Sequence, residues 1–78
     1  MSKTRDEKTL IAFGKNLQKI RKAKKISLRK LEILSEVDYS EIHRVEKGKR
    51  NPSLTIILAL AKGLQIDPSD LIKFPDIS

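Results

Sequence analysis

The sequence predicts an all-α fold, a compact bundle of five helices. Three observations predict it. Apolar residues recur at helical spacing, and the alternation of a half-buried strand is missing. Gly and Pro are scarce, three of each in 78 residues. Ser27, Asp38 and Ser53 each stand just before a periodic stretch, where a short polar side chain accepts from the first free N–H groups of a helix.

Helix 1 is expected over about residues 9–24, because Leu10, Phe13, Leu17 and Ile20 fall on one face. Ser27 opens helix 2, Leu28 to about Ser35, with Leu31 as its clearest core residue. Asp38 opens helix 3, Tyr39 to Lys47, whose inner edge is Ile42 and Val45. Gly48 supplies the left-handed residue that stops it. Asn51-Pro52 breaks the chain again, since a residue before proline avoids the helical region. Ser53 then caps helix 4, about Leu54 to Leu64, with Leu54, Ile57, Leu58 and Ala61 read as its inner face. Helix 5 is short, Pro68 to Lys73, with proline in its first turn. Residues 1–8 are polar and charged and read as a flexible segment, 9–73 as the domain, and 74–78 as a short tail.

The totals exclude several classes. A chain of 78 residues is one domain. A domain this small buries only about 60% of its unfolded surface, so a second copy would add to its core. Cysteine is absent, which excludes a disulfide framework, a thiolate nucleophile and a Cys-based zinc site. That absence fits a cytoplasmic, reducing location. The longest apolar run, residues 56–61, falls far short of the roughly 20 residues of a membrane span, and the N-terminus lacks the apolar block of a signal peptide. No nucleophile motif, phosphate loop or paired carboxylates of an enzyme is visible. No cofactor, metal or small-molecule ligand is expected. The net charge of +7 is skewed: residues 1–30 hold eleven Lys or Arg against two acids, while residues 31–50 and 51–78 each carry −1. Such a skew points to a polyanionic partner.

Helices 2 and 3 are separated by only three residues, 36–38. That is the helix-turn-helix spacing, in which the second helix projects into a major groove. At these residues the chain resembles the Cro and phage-repressor type of helix-turn-helix domain, the Xre family, from about Phe13 to Ile72. The stretch FGKNLQKIRKAKKISLRKL resembles the family's first helix, with Arg21, and the Ser27 before its second helix. VDYSEIHRVEKGKRNPSL is similar to the recognition helix and its Glu-x-Gly-x-x-x-Pro-Ser-Leu exit, and LALAKGLQI to helix 4. The resemblance implies a lambda-repressor-like bundle and a buried ion pair between Arg21 and Glu46. Three positions depart from the family pattern. Leu28 stands where a Gln usually contacts phosphate or braces the recognition helix. Glu32 replaces Ala inside helix 2 and needs a partner or a route to water. Glu36 stands where Gly often makes the left-handed turn, at a cost of roughly 1 kcal/mol.

Base readers must lie on the outward face of helix 3, and Tyr39, Ser40, His43 and Arg44 do. Arg44 is the best of them, because a guanidinium pairs in bidentate fashion with guanine O6 and N7, with a phosphate contact as its competing reading. His43 is the most peripheral. Lys47, Lys49, Arg50 and Asn51 cluster behind the helix as phosphate contacts, with Arg29 and Lys30 at the start of helix 2 as further candidates. Lys15, Lys19 and Lys22 read as a solvated stripe on helix 1.

The expected partner is double-stranded DNA, bound as a pseudo-palindrome by a homodimer with half-sites roughly 34 Å apart. Dimer contacts are expected from Ile66, Leu71, Phe74 and Ile77, with Phe74 as a core residue in the competing reading. The function implied is a transcriptional regulator, a repressor or autoregulator: a phage-type repressor, a restriction–modification controller or an orphan regulator. The alternative is an antitoxin-like interaction module in which DNA binding is secondary. A basic membrane-surface helix fits less well, since the apolar face of helix 1 is needed for the core.

Overall fold

The computed structural model describes residues 6–74. Five helices follow one another: α1 (Glu7–Ala23), α2 (Leu28–Ser35), α3 (Tyr39–Glu46), α4 (Leu54–Leu64) and α5 (Pro68–Ile72). There is no strand among the described residues. α2 and α4 have the predicted bounds, and α3 and α5 each end one residue early.

Each start has a cap. Ser27, Asp38, Ser53 and Asp67 accept from the backbone N–H two or three residues on. α1 begins two residues before its predicted start because Asp6 caps it. The Asp6 carboxylate accepts from the N–H groups of Lys8 at 3.0 Å and Thr9 at 3.4 Å, and from the Thr9 hydroxyl at 2.7 Å. Glu7 and Lys8, read as flexible from the sequence, are therefore helical. The rest of that segment, residues 1–5, and the tail residues 75–78 lie outside the described residues.

The core gathers one or more residues from every helix: Phe13 and Leu17, Leu31, Ile42 and Val45, Leu60, Ala61 and Leu64, and Leu71, with Val37 from the α2–α3 turn. α2 packs on α4 and α1 on α3. The second contact is close at Gly14. A Cβ there would lie 2.4 Å from the Val45 carbonyl oxygen and 2.5 Å from that of Glu46. Only a residue without a side chain lets α1 cross the end of α3 at this distance. Asn16 ties α1 to α5. Its buried Nδ2 donates to the carbonyls of Asp70 and Leu71, at 3.0 and 2.9 Å.

Two sequence expectations are corrected here. The inner face of α4 is Ile57, Leu60, Ala61 and Leu64, whereas Leu54 and Leu58 are 70% and 45% exposed. α4 is apolar almost all round, so two sets of residues obey the same helical spacing, and only packing on α2 chooses between them. Leu71, read as a dimer contact, is 0% exposed and belongs to the monomer's own core. Phe74 and Ile66 are half-buried against that core, and Phe74 meets Phe13 edge to face with ring centroids 6.5 Å apart. Ile77 lies outside the described residues.

Candidate nucleic-acid interface

α2, a three-residue turn and α3 form the helix-turn-helix unit. The turn is built by Ser35 and Glu36. The Ser35 hydroxyl donates to the Leu31 carbonyl at 2.7 Å and accepts from the Val37 N–H at 3.2 Å. Glu36 adopts the left-handed conformation, φ 62°, and its N–H donates to the Glu32 carbonyl at 2.8 Å. At the other end of α3, Gly48 holds φ 73° and passes the chain on to Lys49.

α3 is fastened through Ile42, Val45 and Glu46, all buried. Arg21 Nε donates to Glu46 Oε2 at 2.6 Å and Arg21 Nη2 to Oε1 at 3.0 Å. Gln18 Nε2 adds a third donor to Glu46 at 3.3 Å, and Arg21 Nη1 donates to the Ile26 carbonyl at 2.9 Å. One guanidinium thus joins α1, the α1–α2 turn and the end of α3, with its charge matched by the carboxylate.

With that side anchored, Ser40, His43, Arg44 and Lys47 line the opposite face at i, i+3, i+4 and i+7. His43, Arg44 and Lys47 are exposed, Ser40 is half-buried, and Tyr39 is exposed at the N-terminal end. Ser40 is chemically narrowed. Its hydroxyl donates to Asp38 Oδ2, so what it offers outward is an acceptor. That hydroxyl, with the Ser40 N–H, holds the Asp38 carboxyl below the ordinary carboxylate range.

The cations around α3 divide into two groups. Arg50 Nη2 lies 3.3 Å from Glu41 Oε1, which ties the loop after α3 back to the helix. Arg29 Nη1 lies 3.6 Å from Glu32 Oε1, and the Arg29 guanidinium stacks 3.8 Å from the centre of the Tyr39 ring. Lys30, Arg44, Lys47 and Lys49 are exposed and have no ion-pair partner among the described residues. Asn51 is exposed beside them.

Glu32 meets the need its position created. Its Oε2 accepts from the Tyr39 N–H at 3.2 Å, and the side chain keeps access to water. A glutamate of α2 therefore helps to cap α3. The i, i+3 spacing of Arg29 and Glu32 was legible. The reach of both to Tyr39 depends on how the turn folds back, and the sequence carried no signal for it. The Glu41–Arg50 pair was missed for the same reason. Among the described residues no group of three His, Cys, Asp or Glu is placed to hold a metal ion, and no helix is long and apolar enough to cross a membrane.

A family model described as helix-turn-helix matches residues 17–71. The chain is 34% identical over 68 residues to the control protein C.BamHI of Bacillus amyloliquefaciens, covering 86% of this chain and 84% of that one. It is similar to the crystal structure of the restriction-modification controller protein C.AhdI from Aeromonas hydrophila, with TM-score 0.78 and 45% identity over 80% of this chain and 94% of that one. The hypothetical transcription factor NHTF from Neisseria superposes with TM-score 0.78 at 25% identity, over 96% of this chain and 87% of that one.

Proposed function

The chain belongs to the Xre-type helix-turn-helix family, and from that premise we propose that it is a DNA-binding transcriptional regulator of the restriction–modification controller type. It binds an operator as a homodimer, with α3 of each copy in the major groove. The observation that carries this reading is the division of α3 into two faces. Ile42, Val45 and Glu46 fix it to the bundle, while Ser40, His43, Arg44 and Lys47 stand outward on the opposite side. A helix so held presents its donors and acceptors to base edges without having to be ordered first.

Arg44 is the chief base reader, suited to guanine, and Tyr39, Ser40 and His43 complete the reading face. Lys30, Lys47, Lys49 and Asn51 grip phosphate and set the register, and Arg50 joins them when it leaves Glu41. The second copy docks on the exposed rim around α5. Ile72 is 60% exposed there, and Ile66 and Phe74 are half-exposed. Similarity to the two controller proteins favours the controller role over an antitoxin-like one. The activity is that of a binding protein, not an enzyme, and needs no cofactor. It operates in the cytoplasm.

Fluorescence anisotropy with DNA from upstream of its own gene, against a scrambled duplex, tests this. At physiological salt the native duplex should bind at least about a thousandfold more tightly, and Arg44→Ala should remove the preference. Equal binding of both duplexes with a steep salt slope would leave only phosphate attraction and defeat the reading.

A further inference from the structure

Arg29 has the position of a phosphate contact, but its surroundings suit another task. Its guanidinium carbon lies over the Tyr39 ring at 3.8 Å from the centre, a cation–π contact. The same guanidinium lies 3.6 Å from Glu32 Oε1. Glu32 turns its other oxygen to the Tyr39 N–H, at 3.2 Å. Three side chains thus form a closed unit across the turn, with one carboxylate bridging the backbone and the cation that stacks on the ring. An arriving phosphate would meet the Glu32 carboxylate beside the guanidinium, and that like charge disfavours it. Lys30, one residue on, has no such partner among the described residues and can serve phosphate without that conflict.

We propose that Arg29 is a positioning residue for base reading: it holds the Tyr39 ring in one orientation at the mouth of the groove, Glu32 holds Arg29, and neither touches DNA phosphate. This role and that of a phosphate contact differ in what they predict. As a phosphate contact, Arg29 would strengthen binding to every sequence alike and add to the salt dependence. As a support for Tyr39, it sharpens discrimination at the base pair that Tyr39 meets and adds nothing to the salt slope. This inference rests on the DNA-reading function proposed above, and its test separates the two.

The first measurement needs no DNA. Tyr39 is the single tyrosine of a chain without tryptophan, and its ring lies 3.8 Å from the Arg29 guanidinium carbon, so removing that ring identifies the source of a ring-current shift at Arg29. The δ-methylene protons of Arg29 should resonate upfield of their ordinary position in the free protein and return to it in Tyr39→Leu. An ordinary shift in the parent protein overturns the stacked unit.

The second measurement is a double-mutant cycle on the operator and on duplexes changed one base pair at a time. The Arg29 side chain is 69% exposed, so Arg29→Ala leaves the fold intact. It should lower discrimination at one base pair by about two- to fivefold, in keeping with an exposed cation–π contact, with the salt slope unchanged. In the Tyr39→Leu background it should have no further effect. A salt slope shallower by about 0.9, with the same loss on every duplex in both backgrounds, overturns the proposal and restores Arg29 to the phosphate contacts. A parent protein with no operator preference but an intact ring-current shift overturns the reading of DNA, and the base-reading role with it, and leaves only the contact.

Discussion

Arg21 and Glu46 meet through two hydrogen bonds, at 2.6 and 3.0 Å, with 9% of the arginine side chain and none of the glutamate side chain exposed. The pair is sealed from water, and the stability it lends is asymmetric. Replacing both partners by apolar residues of similar volume can be nearly neutral, whereas removing one strands the other. Glu46→Ala should cost about 3–5 kcal/mol in urea unfolding. Arg21→Met combined with Glu46→Leu should cost clearly less than the sum of the single changes. Equal costs from the double and the summed singles would show that the pair is not coupled.

Gly14 faces two carbonyl oxygens of α3 where any Cβ would fall within 2.5 Å of them. Carbonyls at the end of a helix cannot swing aside as a flexible side chain does. Gly14→Ala should destabilise the fold by about 1–3 kcal/mol, the range for overpacking, although alanine favours helix by propensity. Thermal unfolding checks it, and a rise in midpoint would disprove the close approach.

Glu36 should behave in the opposite sense. It is an L-residue held at φ 62°, where a Cβ costs about 1–2 kcal/mol and glycine pays none of that strain. Part of the gain is offset by the greater freedom of glycine in the unfolded chain. Glu36→Gly should stabilise by roughly 1 kcal/mol in denaturant unfolding, and a loss of stability would show that the carboxylate has a partner.

The helix caps contribute to the response to acid. Asp6, Asp38 and Asp67 are held below their ordinary value of 3.8: the Thr9 hydroxyl leads for Asp6, the Ser40 hydroxyl for Asp38 and the Ser69 N–H for Asp67. Each carboxyl gives up its proton more readily folded than unfolded. The stability it lends is present above the unfolded value and lost as pH falls through the lower folded one. The melting temperature should be insensitive to these groups above about pH 5 and fall below about pH 4. Asp38→Asn with Asp67→Asn keeps two capping side chains that do not titrate, and should flatten the fall.

The Glu41–Arg50 pair makes a prediction for binding. Glu41→Gln releases a guanidinium that now lies 3.3 Å from its acid. On the proposed reading, Arg50 then meets phosphate without first leaving an acid, so the number of neutralised phosphates and the salt slope stay the same. Binding to every duplex should tighten by about two- to fivefold, the worth of an exposed ion pair. An unchanged affinity would place Arg50 away from the DNA backbone.

What could be read from the sequence was local. Ser27, Ser53 and Gly48 set the bounds of α2, α4 and α3 because capping and left-handed turns act within a few residues. Asp6 is as plain a capping signal as Ser27. The Arg21–Glu46 pair came from family resemblance, since nothing in a spacing of 25 residues predicts a contact. The face of α4 was undetermined, because Leu54 and Leu58 satisfy the helical period as well as Leu60 and Leu64 do. The exposed residues of α3 were legible by elimination once Ile42 and Val45 were placed inside. Which cations are engaged by acids was not legible, because Arg29 and Arg50 find partners only after the turns have folded.

Fastening and display on α3 are carried by different residues. Ile42, Val45 and Glu46 are buried and hold the helix, and His43, Arg44 and Lys47 are exposed. A substitution at His43 or Arg44 therefore carries almost no folding penalty, since exposed positions away from caps and turns change stability by only about 0.5 kcal/mol either way. Such a helix is a replaceable key on a fixed handle. On the proposed reading, new target sequences can be explored by mutation at His43 and Arg44 while the rest of the bundle stays as it is, and the freedom to diverge is built into the packing.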